Sequence, residues 1–79
     1  MNSNEIKKIL RDKFLISEKA LTNLKDTDNL FEKGLLDSFA FIELLVLIGE
    51  KSNKDFDFSK NPPDTLTSIN EILIAINKN

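Results

Sequence analysis

The chain contains neither cysteine nor histidine. Without cysteine there are no disulfides, thiolate metal sites or cysteine nucleophiles; without histidine the usual general base, the serine–histidine dyad and most zinc arrangements are gone. Hydrolytic catalysis therefore has few tools, and the protein is not expected to be an enzyme. Excess positive charge is also missing, since 11 lysines and arginines against 13 aspartates and glutamates leave a net charge of −2. That balance gives no broad electropositive field for phosphate backbones or anionic lipid and disfavours nucleic-acid binding. The most apolar stretch, Phe39 to Ile48, falls far short of the ~20 residues that span a bilayer and contains Glu43, so membrane insertion is not expected. The polar start, Met1-Asn2-Ser3-Asn4-Glu5, is unlike a secretory signal, and the cytoplasm is the expected compartment.

What is present fits one soluble domain over residues 1–79: 41% hydrophobic and 30% charged residues, near the lower size limit for a self-supporting core. Ile6, Ile9, Leu10 and Phe14 fall on one face of a helix predicted over residues 3 to 16, with Lys7, Lys8, Arg11 and Asp12 on its solvated face. Residues 17 to 37 read as a long connection rich in turn-favouring residues, pinned to the core by Leu21, Leu24, Leu30, Phe31, Leu35 and Leu36. Gly34 supplies a permissive backbone position ahead of Leu35-Leu36, where the chain turns into the next helix.

A second helix is predicted from Asp37 or Ser38 to about Ser52, since either residue can cap free N–H groups. On its helical wheel Phe41, Ile42, Leu44, Leu45 and Ile48 cluster on a core face, while Phe39, Ala40, Glu43, Val46, Leu47 and Glu50 project from the other. That second face mixes acid with apolar surface. It is either a docking patch or the far side of a central helix buried all round. Lys54 to Ser59 alternates like a strand but has nothing to pair with, and is read as a connection with two aromatic anchors, Phe56 and Phe58. Asn61-Pro62-Pro63-Asp64 allows at most a short third helix. Ser68-Ile69-Asn70-Glu71 fits a capping box opening a last helix over about 68 to 78, striped by Ile69, Ile72, Leu73 and Ile76. The expected fold is all-α, a small three- to four-helix bundle with a long loop between the first two helices.

Ser38 stands at the mouth of the second helix with no residue nearby to activate it, where unpaired N–H groups and the helix dipole favour an attached phosphodiester. Gly34-Leu35-Leu36-Asp37-Ser38-Phe39, the following Glu43-Leu44-Leu45 and the Asp64-Thr65-Leu66-Thr67-Ser68-Ile69 segment together resemble the carrier-protein superfamily. That superfamily comprises acyl carrier proteins, peptidyl carrier domains and D-alanyl carrier proteins, and the resemblance extends over nearly the whole chain. It implies an acyl-carrier-type bundle in which a separate phosphopantetheinyl transferase loads Ser38 with a 4′-phosphopantetheine arm from coenzyme A. The arm's thiol then holds an acyl or aminoacyl cargo as a thioester. Asp37 is implied as part of the motif, acting as helix cap, as a ligand for the transferase's metal, or both.

The same resemblance implies a monomer served by an adenylating acyl or aminoacyl ligase, or by an acyltransferase, and by downstream enzymes of fatty-acid, lipid or peptide-like biosynthesis. Positions matching Ala40 and Gly49 are typically acidic in fatty-acid carriers, whereas here Glu43 and Glu50 remain of that set. Partner recognition is therefore expected to lean on Phe39, Val46 and Leu47, and Ala40 after Phe39 is closer to stand-alone carriers loaded by an ATP-dependent ligase. The alternative from another class is a non-carrier helical adaptor that binds a protein through the second helix and keeps Ser38 unmodified.

Overall fold

A computed structural model of the chain describes residues 1–78, and among them the regular structure is all-α. Four α-helices and one 3₁₀ turn follow in order: α1 (Ser3–Phe14), α2 (Glu18–Asn23), α3 (Ser38–Ser52), the 3₁₀ turn (Pro63–Thr65) and α4 (Ile69–Asn77). The helix α3 corresponds to the second helix of the sequence reading. No helix among the described residues is long and apolar enough to cross a membrane.

Each helix starts where the sequence supplies a side-chain cap. Asn2 opens α1 with a capping box, its side chain accepting from the Glu5 N–H at 3.0 Å while Glu5 accepts from the Asn2 N–H at 3.1 Å. At α4 only half of the expected box forms. The Ser68 hydroxyl accepts from the Glu71 N–H at 3.2 Å, but the Glu71 carboxylate takes the hydroxyls of Ser68 and Thr67 instead of a backbone N–H. Asn53 closes α3 in the left-handed region, and the Lys54 N–H reaches back to the Gly49 carbonyl at 3.1 Å.

The core is built on α1, which packs against the other three helices. Ile6, Leu10, Leu30, Leu44, Ile48, Ile69, Ile72 and Ile76 are fully enclosed, with Phe41 and Leu45 nearly so. The connection from 24 to 37 is held by backbone bonds as well as by its leucines. The Leu30 N–H donates to the Thr67 carbonyl and the Asn70 N–H to the Asp26 carbonyl, both at 2.9 Å, while the Ser3 hydroxyl donates to the Asp26 carboxylate at 2.7 Å. These bonds tie both ends of the chain's helical frame to the segment that leads into α3.

Four sequence expectations need correction. The first helix ends at Phe14, two residues short of the predicted 16, because Leu15 turns into the left-handed region. The connection over 17 to 37 is not structureless: α2 lies in it, capped by the Ser17 hydroxyl on the Ala20 N–H at 3.1 Å and seated by buried Leu21 and Leu24. A six-residue helix has little stability alone, so packing and the cap decide its existence rather than propensity. Phe58 is not an anchor. It is 43% exposed and stacks on half-buried Phe56, ring centroids 5.8 Å apart. Finally Ile42, placed on the core face, is 45% exposed.

Candidate functional site

The geometry at the head of α3 is set by Asp37. Its backbone is extended, and its carboxylate accepts from the Ala40 N–H at 2.8 Å while its carbonyl accepts from the Phe41 N–H at 2.9 Å. Asp37 is thus the cap, and Ser38 is the first helical residue, a division the sequence left open. The cap satisfies the Ala40 N–H and the first helical bond takes that of Phe41, while the N–H groups of Ser38 and Phe39 remain without an acceptor among the described residues. The Ser38 side chain is exposed, and its hydroxyl likewise has no hydrogen-bond partner among the described residues. A group esterified to it would stand beside free N–H donors and the positive end of the helix dipole.

The approach to α3 is shaped by a turn over 30 to 34. Asn29 accepts from the Phe31 and Glu32 N–H groups at 2.9 and 3.1 Å, the Gly34 N–H donates to the Phe31 carbonyl at 2.9 Å, and Gly34 takes φ +71°. Glycine adopts that angle without the steric cost a Cβ brings. The turn points Leu30 and Leu36 into the core and lays Phe31 against Phe41, with ring centroids 4.9 Å apart.

Two open grooves meet at Ser38. One, of about 380 Å³, is lined by Phe31, Ser38, Phe41, Ile42, Pro63, Asp64 and Thr67, between α3 and the 3₁₀ turn. The other, of about 580 Å³, is lined by Ser38, Phe39, Ile42 and Glu43. Ile42 is the ridge between them. The ionisable groups lining these grooves are carboxylates, Asp64 in one and Glu43 in the other. Among the described residues, neither groove places a neutral nitrogen base beside the serine hydroxyl.

The outward face of α3 divides. Phe39 is 85% exposed and Val46 52%, and Glu43 and Glu50 are exposed beside them, so these four do project as the wheel indicated. Ala40 and Leu47 do not. They are half-buried against the core, because they sit about 80–100° round the helix from Phe39, at the edge of the packed side. Ile42 replaces them in the exposed stripe: it lies about 60° from Phe39, three residues after it and four before Val46. That spacing was the available signal for Ile42. Nothing comparable pointed to Phe31, Pro63, Asp64 or Thr67, which reach the site only through tertiary folding.

No family model matches the chain, and no curated protein or solved structure matches it.

Proposed function

We propose that the protein is a carrier: Ser38 receives a 4′-phosphopantetheine arm from a phosphopantetheinyl transferase, and the arm presents an acyl or aminoacyl thioester to separate enzymes. The observation that carries this reading is Ser38 itself, an exposed, unpartnered hydroxyl on the first residue of a helix whose cap is the preceding aspartate. The Gly34-Leu35-Leu36-Asp37-Ser38-Phe39 sequence gives that hydroxyl its resemblance to a carrier's attachment serine. The absence of cysteine and histidine fits the role, because reactivity comes from the thiol of the added arm while the chain supplies position and recognition. Asp37 orients Ser38 by fixing the first turn of α3, and the exposed Phe39, Ile42 and Val46 beside acidic Glu43 form the surface that loading and acceptor enzymes read. An adenylating ligase or an acyltransferase supplies the cargo, and the carrier acts as a monomer in the cytoplasm.

The test is intact-protein mass after incubation with a broad-specificity phosphopantetheinyl transferase and coenzyme A. The expected result is a gain of one phosphopantetheine, lost in Ser38→Ala. A folded chain that never gains it under these conditions overturns the proposal and favours an adaptor that binds a protein through α3.

A further inference from the structure

The groove between α3 and the 3₁₀ turn opens at Ser38 but does not lead inward. Its floor is the Phe31–Phe41 pair, with ring centroids 4.9 Å apart. Phe41 is only 2% exposed and belongs to the same core as the fully enclosed Leu30, Leu44, Ile48, Ile69 and Ile72. At its side the Thr67 carbonyl is held by the Leu30 N–H at 2.9 Å. An alkyl chain entering the bundle from Ser38 would have to expel the Phe41 ring from a close-packed interior, and each methylene it buried would replace aromatic surface already buried there.

From this floor we infer that the cargo is short and stays on the surface: a small acyl or aminoacyl group presented in the open, with no long alkyl chain sheltered in the bundle. The inference rests on Ser38 being the attachment point. Phe31 and Phe41 are the residues that set the size limit, Phe41 by filling the space under the groove and Phe31 by bracing it. The exposed ridge at Ile42 gives a short group apolar surface to rest on without enclosing it.

The experiment loads the chain with acetyl- and octanoyl-phosphopantetheine, using the transferase and the matching acyl-coenzyme A, and confirms each product by intact mass. Two readouts follow: the melting temperature of each loaded form, and the rate at which hydroxylamine cleaves each thioester, taken relative to the same thioester on free pantetheine. A sheltered chain binds the native state alone and therefore raises its melting temperature. The expected result is the same melting temperature for both forms and no protection of the octanoyl thioester beyond that of the acetyl. A higher melting temperature together with several-fold slower cleavage for the octanoyl form overturns the size limit while leaving the carrier reading intact. Absence of any loaded product overturns the carrier reading and with it this inference.

Discussion

At the scale of single residues, two backbone positions show one physical rule acting in opposite directions. Leu15 ends α1 at φ +57° and is 86% exposed, so it bears the strain of the left-handed region with little burial in return. Leu15→Gly removes a strain of about 1–2 kcal/mol, offset by the greater freedom of glycine in the unfolded chain, and is expected to stabilise by about 0.5–1 kcal/mol. The check is a higher urea midpoint at unchanged slope. Gly34 takes φ +71° with open space around the position a Cβ would fill, so Gly34→Ala is destabilising for conformational rather than steric-contact reasons, by about 1–2 kcal/mol. Asp37 separates two roles. Asp37→Ala removes the cap on Ala40 and is expected to cost about 0.5–2 kcal/mol, whereas Asp37→Asn keeps the cap and the stability. If the carboxylate also serves the transferase, Asp37→Asn loads more slowly than the native chain despite an unchanged urea midpoint; equal loading rates would restrict Asp37 to capping.

At the scale of elements, legibility followed where the information lies. The starts of α3 and α4 were readable because Asp37 and Ser68 act within their own turn. The core stripes were readable because 3.6-residue periodicity is a local property. The short helix α2 escaped because Thr22-Asn23 reads as a turn, and the Ser17 cap gains its meaning only once Leu21 and Leu24 find the core. The misplacement of Ile42 has a different origin. Its position about 60° from Phe39 borders both faces, and which side it joins depends on where Phe31 and Pro63 settle, far away in sequence. The exposed stripe gives a sharp contrast. Val46→Glu is expected to leave stability within about 0.5 kcal/mol and helicity unchanged while impairing loading or transfer, whereas Leu44→Ala costs about 2–5 kcal/mol because that side chain is fully enclosed. A large drop in the urea midpoint for Val46→Glu would place residue 46 in an interface internal to the bundle.

At the scale of the whole molecule, stability against pH follows from the groups that are present and those that are missing. No histidine titrates between about pH 5 and 8, so the urea midpoint is expected to be flat across that range. Two carboxylates contribute to the acid limb. Asp57 is held below the ordinary carboxylate value chiefly by the Ser59 hydroxyl, with help from the Ser59 and Lys60 N–H groups and the Lys60 charge. Asp12 is lowered chiefly by its hydrogen bond from Arg11, at 2.9 Å. Because both folded-state values are depressed, their contribution is fully present above the unfolded value near pH 4 and is lost as pH falls through the folded values. Asp12 is solvent-exposed and Asp57 only partly covered, so each contribution is small and sensitive to salt. The measurement is a series of urea melts from neutral pH down to about pH 2.5, repeated with Ser59→Ala and Arg11→Gln. Each substitution is expected to lower the neutral plateau slightly and so shallow the acid decline, while the midpoint at the acid end of the series stays close to that of the native chain. A midpoint that slopes through neutrality would mean that a proton is bound or released on folding by some other group, and variants whose acid decline matches that of the native chain would remove these two aspartates as a source of the acid limb.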